Sequence, residues 1–409
     1  MSKTLTLSHG VRLILEPMSG VRSVSIGIWC NNGAMYEGPK DEGISHFIEH
    51  MLFKGSENRT AFEIVQTIDR IGGQMNAFTG KAETCYYVKC LDEHFRRSAD
   101  VLTDMVEHPL FAEEEIEKEK KVVIEEIHMN QDDPTDVSMD ELENAIGRGI
   151  GFGHPVLGSE ETVSAFTREQ ICDYYFDHYT RDQIVVSVAG SFDEEEVADY
   201  FEHHFLELKP MSDVLRPEEA PKAEPENITV TKDINQSNLA IGIPTVPAES
   251  ELRYPLLVLS NILGGGMSSR LFQHVREQKG LAYSVYSMTS TYRSLGYFAV
   301  VAGVSMARTE EAMDAIREEL ERLKSGTIEA EELESAREQL KSSFMFGQES
   351  VQSRMLSNGR NMLTYGRTFT PDETLAKIEN VTMEKLLEAA ELLSDFSKYT
   401  IVNVTGMSE

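Results

Sequence analysis

The run "ISHFIEHMLFKG", residues 44–55, brings His46, Glu49 and His50 together in a largely apolar segment. Ile44, Phe47, Ile48, Met51 and Leu52 recur at helical spacing and predict an amphipathic helix with one buried face. His46 and His50, one turn apart, share a different face, with Glu49 beside them. Two imidazoles so placed can reach one tetrahedral cation. Glu49 is then set to act on water at the metal rather than to ligate. The order His-x-x-Glu-His inverts the commoner His-Glu-x-x-His and is itself a catalytic metal signature.

A structural zinc takes four protein ligands, whereas a catalytic one takes three and keeps a position open. The third ligand is sought in "AEEEIEKEKKVVIEEIHMNQDD", which predicts a long helix ending near Pro134. Its first part is a solvated charge run. Around "KVVIEEIHM" the composition turns apolar, so either Glu125 or Glu126 can be carried inward. Glu119 lies two helical turns before Glu126, on the same face. His128 falls on another face and reads as an ordinary histidine.

The elements that must position these groups are arranged in two similar halves. "VRSVSIGIWC" is matched by "QSNLAIGIPT", with Ile26 against Ile241, and "IVVSVAGSF" by "YTIVNVTGM", with Gly190 against Gly406. An offset kept over such distant segments indicates duplicated domains. Strand-like runs alternate with helical patterns such as "DEHFRRSADVLTDMVEH", which gives an α+β class with helices packed on each sheet. The Pro-rich, charged stretch 208–227 reads as an exposed linker between domains 1–207 and 228–409. A chain of 409 residues is long enough for two or three domains.

Apolar content of 41% with 26% charged residues is that of a folded chain, and no run reaches the ~18 apolar residues of a membrane span. A net charge of -31 argues against nucleic acid as a partner and favours cationic ones wherever the acidic groups line a cleft. The opening residues alternate like a strand, without a basic region followed by an apolar one, so no targeting segment is expected. Cys30, Cys85, Cys90 and Cys172 form no CxxC pair, and reduced thiols in a cytoplasm are the expectation.

His46-x-x-Glu49-His50, followed by "VVIEEIHM", resembles the zinc site of the pitrilysin/insulinase family of inverted-motif metallopeptidases, and most closely its mitochondrial processing peptidase subfamily with its bacterial relatives. The likeness extends over essentially the whole chain. It implies two similar α+β domains, antiparallel-rich sheets and one Zn²⁺ per chain held by His46, His50 and Glu126. It also implies Glu49 as general base in peptide-bond hydrolysis and Glu119 in a supporting role. The same resemblance marks "NAFT" (76–79) as an edge strand on which an extended peptide is laid as a further strand. There Asn76 and Ala77 contact the peptide main chain, while Phe78 and Phe53 wall a side-chain pocket. Arg276 and Tyr283, in "VREQKGLAYSVYS", would hydrogen-bond the substrate main chain near the scissile bond.

The matching place in the second half holds Asn261, Gly264 and Gly265 instead of the metal motif, so that domain is not expected to be a second catalytic centre. No GxxxxGK[ST] pattern accompanies its glycines, which argues against nucleotide binding. Relatives of this subfamily pair two chains around a chamber, and one chain carrying both sets of residues implies a homodimer. The rival expectation is a metal-free peptide-binding or scaffold subunit, from which the intact ligand set argues away.

Overall fold

The computed structural model describes residues 2–214, 219–221, 224–323 and 327–407. In chain order the first elements are β1 (Lys3–Thr6), β2 (Arg12–Pro17), β3 (Ser23–Cys30), α1 (Ile44–Leu52) and α2 (Ala61–Asp69). Next come β4 (Gln74–Thr79), β5 (Thr84–Leu91), α3 (Phe95–Glu107), α4 (Glu113–Asp132) and α5 (Pro134–Ile146). After α6 (Glu160–Ala165) and α7 (Arg168–His178), β6 (Ile184–Gly190) and α8 (Glu194–Glu202) lead to the linker. Residues 215–218 and 222–223 of the expected linker lie outside the described residues.

The second half begins with β7 (Asn227–Lys232), β8 (Gln236–Thr245) and α9 (Arg253–Gly264). A π-helical turn, Phe272–Gln278, precedes β9 (Ala282–Thr291) and β10 (Gly296–Ser305). The remaining elements are α10 (Thr309–Arg322), α11 (Ala330–Gln348), α12 (Val351–Tyr365), α13 (Pro371–Glu379), α14 (Met383–Leu393) and β11 (Thr400–Gly406).

The described residues divide into two units, each with its own sheet. The first sheet has the order β1-β2-β6-β3-β5-β4, and the second β7-β11-β8-β10-β9. In each sheet one pair is parallel (β2/β6 and β7/β11) and the others are antiparallel. The five strands from β2 to β4 therefore repeat in order and sense as β7 to β9. This is the duplicated, antiparallel-rich α+β architecture expected from the sequence.

The units are not continuous in sequence. Unit 1 falls within 1–128, 154–217 and 346–370, and unit 2 within 129–153, 218–345 and 371–409. Helix α12, from the second half of the chain, thus covers the first sheet, and α5, from the first half, covers the second. Central strands buried on both faces are largely apolar, as β6 (IVVSVAG) is apart from Ser187, whose buried hydroxyl donates to Met355 O at 2.9 Å. On the first sheet Met355, Met362 and Leu363 of α12 pack on Ile14, Trp29, Cys85 and Val185. On the second, Leu142 and Ile146 of α5 pack near Ala240, Tyr297 and Val402.

One residue pair makes both dockings possible. Gly27 and Gly242 occupy equivalent places in the repeat. A Cβ on Gly27 would meet Met355 Sδ at 2.3 Å, and one on Gly242 would meet Leu142 Cδ2 at 2.7 Å. Each glycine admits a side chain of the exchanged helix where any other residue would overlap it. In unit 1 a polar lock adds to this packing, because buried Glu16 ion-pairs with Arg354 and accepts a hydrogen bond from Asn358.

Candidate metal centre

Helix α1 lies on the opposite face of the first sheet from α12. Ile44, Phe47, Ile48, Met51 and Leu52 are buried in the core there, together with Val24, Ile26, Tyr86 and Val88. The N-terminus of α1 is closed by the buried Glu37, whose carboxylate accepts from Gly43 N at 2.7 Å and Ser45 N at 2.8 Å. Burial nevertheless pushes the Glu37 carboxyl up to about 8, against the lowering effect of these bonds.

With its apolar face buried, α1 presents His46 and His50 toward α4. Glu126 Oε2 lies 3.4 Å from His50 Nε2 and 3.8 Å from His46 Nε2. One donor atom from each of the three residues falls within 4.8 Å of the others, and no other such group of His, Cys, Asp or Glu occurs among the described residues. The alternative left open by the helical pattern is decided by direction: Glu126 faces the histidines, whereas the Glu125 side chain is 79% exposed and lies near His128.

Supporting contacts fix the orientation of these groups. His50 Nδ1–H donates to Glu119 Oε1 at 2.8 Å, so Nε2, turned toward Glu126, is the nitrogen a metal would take once its proton is lost. Glu119 is buried, and its other oxygen meets Lys54 Nζ at 2.6 Å. Burial favours a neutral Glu119, but the bonds to His50 and Lys54 outweigh it and hold the carboxyl below its ordinary value. Glu126 is likewise lowered, first by its bond to His50. Burial and then the neighbouring His50 hold His46 down to about 4. Burial also works to lower His50, yet the bonds to Glu119 and Glu126 prevail and raise it to about 9.

The metal-free pair therefore keeps one proton between two carboxylates, where a divalent cation would be better matched. Two imidazole nitrogens and one carboxylate oxygen are a donor set suited to zinc with an open position. His46 Nδ1 is buried without a hydrogen-bond partner, so its ring is held by packing rather than by a second acceptor.

Glu49, on the same helix, is not part of the converging set. Its Oε2 accepts a hydrogen bond from Thr79 Oγ1 at 2.6 Å, and burial raises its carboxyl above the ordinary range despite that bond. Thr79 ends β4, which is the last strand of its sheet, so that among the described residues no strand pairs with its outer edge, where Asn76 Oδ1 accepts from Ala77 N at 2.9 Å. Asn76 and Ala77 lie on this edge strand, as the resemblance implied.

Phe78 requires a correction. Met75 and Ala77 pack on the α1 side of the sheet, while Phe78 packs with Trp29 (centroids 5.6 Å apart), Tyr87 and the α12 side. Phe53, at the end of α1, packs near Tyr86 on the α1 side. The two-residue period of a strand places Phe78 and Phe53 on opposite faces, so they do not wall one pocket.

In unit 2, Arg276 lies in the π-helical turn with its guanidinium 4.6 Å from the Phe272 ring and 5.5 Å from the Tyr283 ring. Tyr283 is the second residue of β9 and is 82% exposed. The two are brought together within their unit. Where unit 1 has Glu49, unit 2 has Gly264, and a Cβ there would meet Ser287 N of β9 at 2.2 Å. Helix α9 is pressed onto its strand and carries no carboxylate in that position.

Sequence reasoning missed Thr79, Lys54 and Glu37. Lys54 stands four residues after His50, a spacing that could have signalled a shared face. Thr79 and Glu37 reach α1 from other elements, and nothing in their local sequence marks them.

The three converging donors are a set that could hold a metal ion. A family model described as insulinase, peptidase family M16, matches residues 12–160, and one described as the peptidase M16 inactive domain matches 165–340. The chain belongs to the M16 peptidase family. It is 43% identical over 388 residues to an uncharacterized zinc protease of Bacillus subtilis, YmxG, covering 94% of each chain. An uncharacterized zinc protease of Streptomyces coelicolor is 36% identical, with 94% of this chain and 85% of that one covered. Among solved structures, a protease from Helicobacter pylori superimposes with a TM-score of 0.92 at 21% identity, covering 99% of both chains. An M16-like peptidase from Alicyclobacillus acidocaldarius gives 0.87 at 21% identity, covering 100% of this chain and 98% of that one. No helix among the described residues is long and apolar enough to cross a membrane.

Proposed function

We propose that the protein is a zinc-dependent endopeptidase acting on extended peptides or unfolded segments. The convergence of His46, His50 and Glu126 within 4.8 Å, with Glu49 on the same helix outside the donor set, carries this reading. Zinc held there would supply Lewis acidity, polarising a peptide carbonyl and acidifying water. Glu49 accepts the proton on its carboxylate and returns it to the leaving nitrogen. The outer edge of β4 binds the substrate main chain as an added strand, so it selects extended chains with little regard to sequence. Arg276 and Tyr283 bind the substrate main chain near the scissile bond.

In this reading, residues 1–207 carry the catalytic repeat, 208–227 the linker, and 228–409 a homologous repeat without metal, each repeat contributing one helix to the other's unit. The working assembly is a homodimer enclosing a chamber, in which the Arg276/Tyr283 pair of one copy serves the metal centre of the other. It works in the cytoplasm. The charge of -31 favours basic peptides, an advantage that should fade with added salt. Equal kcat/KM for Arg-containing and Glu-containing peptides at low salt would remove that preference.

The main test measures zinc content and cleavage of a quenched-fluorescent peptide before and after chelation and zinc return. Glu49→Gln should keep the metal and lose about 10²–10⁴-fold in kcat. Activity that survives chelation, or a Glu49→Gln variant as fast as the parent, would exclude the proposal. The rival scaffold reading predicts peptide binding without turnover in the zinc-loaded parent.

A further inference from the structure

Glu49 and Thr79 belong to different elements, 30 residues apart in the chain, yet a short side-chain contact joins them at the proposed base. The bond from Thr79 Oγ1 to Glu49 Oε2 is 2.6 Å long. It is the one hydrogen bond of the Glu49 side chain among the described residues. A threonine hydroxyl has a single proton to donate. Thr84, opposite Thr79 in register, gives its own proton to Asn32 O at 2.9 Å, and its oxygen is 3.4 Å from that of Thr79, too long for a good hydroxyl bond. The proton of Thr79 is therefore directed at Glu49.

The strand end bearing this hydroxyl is firmly held. Gly80 O accepts from Ala34 N at 3.2 Å, Lys81 O accepts from Met35 N at 2.8 Å, and Gly80 N donates to Glu83 O at 2.8 Å. Lys81 Nζ donates to His154 O at 2.7 Å. A hairpin turn tied by all of these bonds cannot easily move its last strand residue. The hydroxyl is thus a fixed donor, and Glu49 a flexible side chain that meets it.

We propose that Thr79 is the positioning residue of the general base: its hydroxyl pins Glu49 Oε2 and turns Oε1 toward the space in front of His46, His50 and Glu126. This rests on the reading of Glu49 as the base of a peptidase. Thr79 also terminates the strand on which the peptide is laid, so one residue sets both the substrate edge and the base. Interactions that matter only once the substrate is aligned act on kcat rather than KM.

The experiment compares Thr79→Val, Thr79→Ala and Thr79→Ser in the full chain. Zinc affinity is measured by chelator competition, kcat and KM with a quenched-fluorescent peptide, and the Glu49 side chain located in crystals of each metal-free variant. Thr79→Val and Thr79→Ala should bind zinc and peptide within about twofold of the parent, with kcat lower by about 10–100-fold, the cost of misplacing a reacting group by about 1 Å. Thr79→Ser should restore kcat. In the crystals Glu49 should leave its parent position in the Val and Ala variants and keep it in the Ser variant. Parent-like kcat in Thr79→Val, failure of serine to rescue, or an unmoved Glu49 in both hydroxyl-free variants would overturn the proposal. Should the parent cleave no peptide, the peptidase reading falls, while the crystals still decide whether Thr79 orients Glu49.

Discussion

Replacing Glu119 by glutamine should weaken zinc binding by an amount that depends on pH. The Glu119 carboxylate joins His50 Nδ1 at 2.8 Å to Lys54 Nζ at 2.6 Å and is only 3% exposed. A carboxylate behind a ligating imidazole makes the opposite nitrogen a better donor, and its loss typically costs about 10–100-fold in metal affinity, ~1.4–2.7 kcal/mol. A second effect opposes the first. Burial alone would lower His50, but Glu119 and then Glu126 raise it to about 9 in the metal-free protein. At pH 7.5 zinc must then displace a proton, a handicap of about 30-fold or ~2 kcal/mol. Glu119→Gln removes the stronger of the bonds that raise His50, so the variant carries less of that handicap.

At pH 9.5 most of the proton has left the parent too, and the full loss of about 10–100-fold should be visible. Near pH 7 the two effects offset, and parent and variant should differ by only about a few-fold. Competition against a chromophoric chelator at both pH values gives the affinities. Calorimetry in buffers of different ionisation enthalpy counts the protons released, about one for the parent at pH 7.5 and fewer for the variant. An equal loss at both pH values, or none at either, would refute the reasoning.

Three further outcomes follow from the same geometry. Glu126→Gln should weaken zinc binding by at least about tenfold, while Glu125→Gln, with its exposed side chain, should leave it unchanged in the same competition assay; the reverse result would exchange their roles. Glu37 carries a folded-state pKa near 8 against an ordinary value of about 4.3, so the folded state binds the extra proton and the parent should lose stability as pH rises from about 4.3 through about 8. Urea midpoints of the parent should fall relative to Glu37→Gln across that window, and parallel curves would count against a protonated Glu37. Gly27→Ala should destabilise by about 1–3 kcal/mol, because its Cβ meets the Met355 sulfur at 2.3 Å. Combined with Met355→Ala, the loss in denaturant unfolding should be clearly less than additive, and simple additivity would mean that the overlap is relieved elsewhere.

The sequence by itself determined whatever depends on backbone period. Residues i and i+4 of a helix share a face whatever surrounds it, so the apolar stripe of α1 and the pairing of His46 with His50 were legible in the order of residues alone. The repeat of Ile26 at Ile241 likewise led to two related sheets, because the same pattern of buried strands was written twice. Tertiary structure decided what depends on which elements meet. Glu125 and Glu126 are adjacent on one helix and equally acidic, and only the docking of α4 beside α1 turns Glu126 to the histidines and Glu125 to water. Alternation along β4 separates Ala77 from Phe78, but only the placement of α1 on one face and α12 on the other shows which of them looks toward the metal centre. Thr79, Lys54 and Glu119 act through bonds of 2.6–2.8 Å that close over separations of 30 to 69 residues along the chain. The exchange of α5 and α12 between sheets is of the same kind. Gly27 and Gly242 can be seen in the repeat, yet what fills the space they leave comes from remote segments, and no local pattern encodes that choice.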